Sequence, residues 1–372
     1  MSKKKVLILF TSSELGGAEK SLTRLALNLQ DKINVQLATM DGKGPWIDYC
    51  KKKFINPISL GNRKNKNSSH GNLNFINQLK LFSLLYKGKF DIVYAVGIRL
   101  SLLIRFIIFF LRNTKYINAI RWNPASSKPS DKVFRFLEKY FSIFVDLYIC
   151  NSQASKTTLI QKCKIKSNKI KVIYNGIGSH NIKTKENYEP ILLITANNSP
   201  RKGIIEFILK VVKPVFDKGK KFHLFIAGRD EMNGKIKEVI QENNLDKVVT
   251  HLGFIKDIDK YFQSSDIFIL PSIEREGCPT SILEAMSYAK PTIAFNIDGI
   301  PELIKNGEQG FLIDAYNYKD FQNALVSLLD NKSLRIKMGK SALSRQKKIF
   351  NIDQFASKHI QCFESLVCNN NK

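Results

Sequence analysis

The chain has 372 residues, 44% hydrophobic and 10% aromatic; it is too long for one ordinary core and apolar enough for two, which excludes a disordered or collagen-like polymer. Its 59 Lys and Arg outnumber 32 Asp and Glu, for a net charge of +27. The excess is lopsided, since residues 1–175 carry 31 basic and 9 acidic side chains and the remainder 28 and 23, so the first half is expected to meet something anionic: nucleic acid, a membrane surface or a phosphorylated lipid.

In chain order, Val6 to Phe10 has the make-up of a short buried strand, Ser12 to Gly17 that of a turn, and Ala18 to Gln30 carries apolar residues at helical spacing. With a strand over Val35 to Thr39 this forms a βαβ unit and predicts a parallel sheet. The rhythm continues with strands over 91–95, 116–120 and 147–150 and helices over 99–112 and 130–144. After a polar break at 178–190, a second set offers strands over 191–195, 222–227, 248–252, 267–270 and 291–295, with helices over 203–217, 232–243 and 279–289. Two consecutive sets predict an α/β chain of two Rossmann-like parallel-sheet domains facing a cleft, residues 1–177 and 178–352. The Asn- and Lys-rich stretch 62–74 reads as a mobile loop and the tail from Asn369 as frayed.

Six cysteines without a C-x-x-C pair read as reduced thiols, and five scattered histidines suggest no metal site. The apolar run Val6 to Phe10 is too short for a signal peptide. Leu100 to Leu111, interrupted by Ser101 and Arg105, falls short of the ~20 residues that cross a bilayer. Like Phe75 to Tyr86, it reads as a core helix with a polar face turned to water.

The informative segment runs from Pro271 to Met286. A strand ending at Leu270 leads into a loop with Glu276, Gly277 and Cys278, and a helix opens near Pro279. The unpaired amides of its first turn, at Thr280, Ser281 and Ile282, with the positive end of the helix dipole, suit a diphosphate. Glu276 before the helix and Glu284 inside it are acceptor-only groups placed to grip hydroxylated groups on either side of that diphosphate, the layout of a nucleotide sugar. Taken singly, Glu276 reads as an ordinary loop acid and Glu284 as an exposed helix residue; the whole constellation at the carboxyl end of a parallel strand reads as a site.

Glu276-x7-Glu284 followed by Ala285-Met286 resembles the E-x7-E signature of retaining glycosyltransferases of family 4, which have the GT-B fold. Gly16-Gly-Ala-Glu19, Asn175-Gly-Ile177, Arg201-Lys-Gly203, His251-Leu-Gly-Phe254, Gly299-Ile-Pro-Glu302 and Gly307-x-x-Gly310 fall in the same order. The resemblance implies that Glu276 contacts the donor sugar and Glu284 the ribose, and that Lys202, with Arg201 beside it, stabilises the departing diphosphate without a protein-bound metal or cofactor. The family's arginine five residues before that lysine is Asn197 here. The resemblance also implies a donor-binding second domain, an acceptor-binding first domain and a last helix, about 353–367, packed back on the first. Gly16 and Gly17 would approach the donor phosphate, and Gly253 and Phe254 the base, although a glycine turn after a strand explains the latter pair as simply. Arg121-Trp122-Asn123 ends a strand where ligands gather, so Arg121 is a candidate for an acceptor phosphate and Trp122 for a sugar ring; a buried tryptophan beside a surface arginine accounts for them equally well. An extra residue in Ser272 to Glu276 leaves Glu274 as a second candidate for the sugar contact.

The expected activity is transfer of a hexosyl-type sugar, with retention, from a UDP- or GDP-linked donor to a lipid-linked bacterial surface glycan. The basic first half, with Lys51 to Lys53, Arg63, Lys66, Arg99, Arg105, Arg112 and Lys115, would hold the protein in the cytoplasm on the anionic inner face of the membrane. The competing readings are a nucleotide-sugar epimerase of the same architecture and a nucleic-acid-binding protein. No RNA- or DNA-binding motif supports the latter, so nucleic acid is not expected as a partner.

Overall fold

The computed structural model describes residues 3–61, 73–111, 113–126, 128–180, 182 and 187–368. Most of the expected 62–74 loop, Arg63, Lys66, Arg112 and the tail from Asn369 lie outside the described residues. The chain divides into two compact units, Met1–Gly176 with Ile352–Lys372, and Ile177–Asn351.

The first unit is an all-parallel sheet of seven strands: β1 (Lys5–Phe10), β2 (Asn34–Thr39), β3 (Ile58–Ser59), β4 (Ile92–Val96), β5 (Lys115–Ile120), β6 (Leu147–Cys150) and β7 (Ile170–Val172), in the order β3-β2-β1-β4-β5-β6-β7. Runs such as Val6 to Phe10 and Ile92 to Ala95 are buried without alternation, as strands covered on both faces must be. The helices are α1 (Gly17–Leu29), α2 (Pro45–Lys51), α3 (Phe75–Gly88), α4 (Ile98–Phe110), α5 (Pro129–Phe141) and α6 (Gln153–Cys163). Leu81 of α3, Ile104 of α4, Phe134 of α5 and Leu159 of α6 share one core against the sheet. Leu22 and Leu25 of α1 and Trp46 of α2 share the core on the other face with Phe355 and Phe363 of the C-terminal helix, Ile352–Cys368.

The solvent sides of the two apolar helices, expected to be polar, carry Lys80, Lys87 and Arg99 among exposed apolar residues. Phe75, Leu79, Phe82 and Tyr86 of α3 and Phe106, Phe109 and Phe110 of α4 are exposed. Apolar residues cover α4 on every side, so its sequence period could not show that the sheet covers only one of them.

The second unit is a six-stranded parallel sheet, β8 (Ile191–Thr195), β9 (His223–Ala227), β10 (Val249–Gly253), β11 (Ile267–Leu270), β12 (Thr292–Phe295) and β13 (Gly310–Ile313), ordered β10-β9-β8-β11-β12-β13. Its helices are α7 (Ile204–Phe207), α8 (Lys213–Asp217), α9 (Lys235–Glu242), α10 (Asp259–Ser264), α11 (Thr280–Ser287), α12 (Ile300–Leu303), α13 (Tyr318–Asp330) and α14 (Lys332–Ile349), after which α15 (Ile352–Cys368) joins the first unit. The expected helix over 203–217 is α7 and α8 joined by a π-helical turn, Ile208–Val212. Pro214 supplies no N–H there and its ring crowds the turn before it. Each sheet reverses strand order once, between β1 and β4 and between β8 and β11, and ligands of such sheets bind beyond the carboxyl ends at the reversal.

Candidate active site

At the reversal in the second sheet, the loops after β8 and β11 lie against each other. The amide of Ile273 donates to the carbonyl of Arg201 at 3.0 Å. Gly203, at φ 61°, leaves so little room that a Cβ would lie 2.4 Å from the carbonyl oxygen of Pro271, so a side chain there would force the loops apart. The interlock sets Lys202 against Glu276: Lys202 Nζ donates to Glu276 Oε1, and Arg201 Nη1 lies 4.0 Å from the same oxygen. A third loop, after β12, fixes the glutamate's backbone. The Glu276 amide donates to Asp298 Oδ2 at 3.0 Å, and the Gly299 amide donates to the Glu276 carbonyl at 3.3 Å.

The Lys202 and Glu276 side chains are 12% and 7% exposed, so their charges govern each other. Burial pushes the Glu276 carboxyl up, but Lys202, which also donates a hydrogen bond to it, and Arg201 outweigh the burial and hold the group below the usual carboxylate range. Burial pulls the Lys202 ammonium down and Arg201 adds to the pull, with Glu276 opposing. Two cations share one carboxylate. The cluster keeps a surplus positive charge and is disposed to receive an anion.

Gly277, Cys278 and Pro279 are buried and lead into α11, with Pro279 at its N-cap position. Thr280 and Ser281, half-buried, open the first turn with amides at the helix end; the Ile282 amide, expected to be unpaired, donates to the Pro279 carbonyl at 3.2 Å. Glu284 is half-buried in the second turn. The geometry thus joins Lys202, Arg201 and Glu276 directly and carries Glu284 on the helix that follows.

Asn197 is half-buried, and its neighbour Asn198 is fully buried. Asn198 donates its amide to the Arg229 carbonyl at 2.7 Å, accepts from the Glu231 amide at 3.0 Å, and its Nδ2 lies 2.6 Å from His251 Nε2. Burial lowers the His251 pKa, so the neutral ring accepts from Asn198 and carries its proton on Nδ1. Beyond His251, Gly253 turns β10 outward at φ 67° and Phe254 is 44% exposed. Thr195 Oγ1, Asn198 Oδ1, Ser199 Oγ and His251 Nδ1 are buried without a protein partner, a concentration of polar capacity expected of a ligand site. Sequence reasoning missed Asn198 and Asp298. The one available signal was Asp298-Gly299, a turn dipeptide directly after a strand.

In the first unit, Gly16 is the N-cap of α1 and its amide already donates to Glu19 Oε2 at 3.1 Å; Gly17 opens the helix. Burial, the largest influence, raises the Glu19 pKa. Arg121, after β5, donates through Nη2 to Ser21 Oγ at 2.9 Å and to Asn175 Oδ1, while its Nε and Nη1 have no protein partner. Trp122 is half-buried, with its ring centroid 5.4 Å from that of Phe134. Asn123 is buried and accepts from Thr158 Oγ1 at 2.8 Å. Of these three neighbours, Arg121 at Nε and Nη1 and Trp122 at Nε1 keep unmatched donors.

Comparison with known proteins gives two family matches, one for each half: Glycosyltransferase Family 4 over residues 15–179 and Glycosyl transferases group 1 over 179–345. The UDP-Gal:alpha-D-GlcNAc-diphosphoundecaprenol alpha-1,3-galactosyltransferase of Escherichia coli is 28% identical, over 95% of both chains. The N,N'-diacetylbacillosaminyl-diphospho-undecaprenol alpha-1,3-N-acetylgalactosaminyltransferase of Campylobacter jejuni is 29% identical over 49% of this chain and 46% of its own. Among solved structures, Anabaena HepE in complex with UDP and glucose superposes with a TM-score of 0.83 at 20% identity, covering 97% of this chain and 100% of that one. That likeness fixes the GT-B fold.

Proposed function

We propose that the chain, whose first half matches the Glycosyltransferase Family 4 model and whose second half matches the Glycosyl transferases group 1 model, is a retaining enzyme that moves a hexosyl-type sugar from a UDP- or GDP-linked donor to a lipid-linked bacterial surface glycan. The observation that carries the reading is the Lys202–Arg201–Glu276 cluster at the strand-order reversal, directly ahead of the α11 N-terminus. The donor binds to the second unit. Its diphosphate sits on the first turn of α11, at Gly277 to Ser281, with the ribose on Glu284, the sugar on Glu276 and the base near Gly253 and Phe254. Asn197 borders the diphosphate. As the glycosidic bond breaks, the charge growing on the diphosphate is met by Lys202 and Arg201, groups already in place, so the transition state gains more than the ground state. In this route the leaving diphosphate takes the proton of the acceptor hydroxyl on the same face, which preserves the configuration and requires neither an enzymic nucleophile nor a resident metal.

The acceptor binds to the first unit, where Arg121 has unmatched donors for a phosphate and Trp122 and Asn123 hold the loop that carries it. The two undecaprenol-diphosphate relatives support a lipid-linked acceptor, and the net +22 of residues 1–175 supports a cytoplasmic protein peripheral to an anionic inner leaflet. Among the described residues no helix is long and apolar enough to cross a membrane. The test is incubation of labelled UDP- and GDP-sugars with membrane extract. Labelled glycolipid is expected, and it should disappear in both Glu276→Ala and Glu284→Ala. Sugar interconversion without acceptor would instead identify an epimerase.

A further inference from the structure

The outer surface of the α3–α5 layer plays no part in that chemistry. Of nineteen large apolar side chains exposed among the described residues, twelve lie between Phe75 and Ile143, on α3, α4, α5 and the turn after α5. On α3, Phe75, Leu79, Phe82 and Tyr86 recur at helical spacing and so form a stripe along the solvent side. On α4, Phe106, Phe109 and Phe110 are 63%, 66% and 71% exposed. Between α4 and α5 runs a groove of about 310 Å³ lined by Phe and Leu side chains. Its only charged lining residue, Arg105, is 2% exposed and directed at Glu138 at 2.6 Å.

The charge of the same surface has one sign. Lys80, Lys87, Lys89, Arg99, Lys128, Lys132 and Lys139 are exposed, while the acids of residues 75–145 are half-buried (Asp91) or buried (Asp131 and Glu138). Lys139 Nζ lies 5.4 Å from the centre of the exposed Tyr140 ring. Exposed apolar residues gathered on the helices of one layer, with a groove between two of them, mark an interaction face. A second copy of a face bearing cations alone would meet like charge. Aromatic rings rimmed by lysines suit an anionic phospholipid leaflet, in which rings enter the acyl boundary and ammonium groups stay at the phosphates.

We propose that the α3–α5 layer is a membrane-docking face: the phenylalanines of α4 and the edges of α3 and α5 enter an anionic leaflet, and the α4–α5 groove admits an acyl segment. The proposal deepens the membrane part of the function proposed above, and relocates it from charge alone to a defined apolar surface.

The test is co-sedimentation of the full chain with vesicles of phosphatidylcholine alone or mixed with phosphatidylglycerol. The wild type should bind the mixed vesicles, and Phe106→Ser/Phe109→Ser/Phe110→Ser should weaken binding roughly tenfold or more with melting unchanged, because these exposed rings support no core. Should that triple variant misfold, Phe109→Trp supplies a second measurement: brominated lipids should quench its added fluorescence, and an unquenched signal would overturn insertion. Equal binding by the wild type and the triple variant, abolished by salt, would mean that charge alone acts and the face is not inserted. A wild-type dimer that ignores vesicles and is dissolved by the triple variant would assign the face to a second copy. Transfer to a detergent-dissolved acceptor is scored separately. Its absence in a protein that still docks would sink the transferase reading and leave the docking face standing.

Discussion

Replacing Glu276 and Lys202 one at a time should shift nucleoside diphosphate affinity in opposite directions. Glu276 occupies the charge of Lys202 and part of that of Arg201. Two unit charges ~4 Å apart at an effective dielectric of ~20 interact by about 4 kcal/mol. Arg201 is 37% exposed, and screening leaves a net effect on an incoming anion on the order of 1–2 kcal/mol, about tenfold. Glu276→Ala is therefore expected to bind the bare diphosphate about tenfold more tightly than the wild type while turnover falls roughly a hundredfold or more, since the sugar loses its acceptor. Lys202→Ala leaves a nearly buried carboxylate facing the same diphosphate, so affinity should fall by roughly a hundredfold together with turnover. Calorimetric titration with UDP and with GDP reads both shifts. Glu276→Ala should also melt lower without ligand, with two adjacent cations uncompensated, and regain stability on adding the diphosphate that binds. If both substitutions weakened the diphosphate equally, the cluster would not be an anion seat held by its own counter-ion, and the reasoning would fail.

Other expectations concern the scaffold. Glu138→Ala strands the buried Arg105, 2.6 Å from its partner, and should cost about 3–5 kcal/mol in urea unfolding, whereas Arg105→Met with Glu138→Leu should recover most of it. Gly203→Ala places a methyl 2.4 Å from the Pro271 carbonyl at φ 61°; a loss of roughly 2 kcal/mol and more than tenfold in turnover is expected, because Lys202 is its neighbour. His359 is buried and its pKa falls from 6.5 to about 3, chiefly through burial. The unfolded chain thus binds the extra proton, so stability is intact above pH 6.5 and declines towards pH 3 by up to about 1.4 kcal/mol per unit. In His359→Phe, melting followed from pH 7 to pH 4 should be flatter than in the wild type; an unchanged slope would remove His359 from the account.

The central strands were legible because parallel strands covered on both faces are unbroken apolar runs, as in Val6 to Phe10 and Ile267 to Leu270. The edge strands Ile58–Ser59 and Ile170–Val172 were not, since two or three residues hold no period. Within the candidate site, the residues grouped by spacing, Glu276 to Ser281 and Glu284, share one loop and one helix. Asp298 serves Glu276 from 22 positions away and Asn198 meets His251 from 53 away, relations that only tertiary packing creates. The outward faces of α3 and α4 were misread for a related reason. Hydrophobic periodicity shows which residues share a side of a helix, whereas which side the sheet covers depends on the neighbouring strands.

The return of α15 to the first unit bears on how the chain is made. Phe355, Ala356 and Phe363 complete the core behind Tyr94, and the Tyr94 hydroxyl reaches His359 Nε2 at 3.4 Å. A ribosome therefore releases the first 176 residues with one sheet face covered by α1 and α2 but lacking α15, and supplies the remaining cover only after the whole second unit has emerged. At ~5–20 residues per second that interval lasts roughly 10–40 s. The later half can finish folding first, while the earlier half waits with sticky surface on view. A nascent-chain assay should find chaperones held on the amino-terminal portion until the closing helix is synthesised.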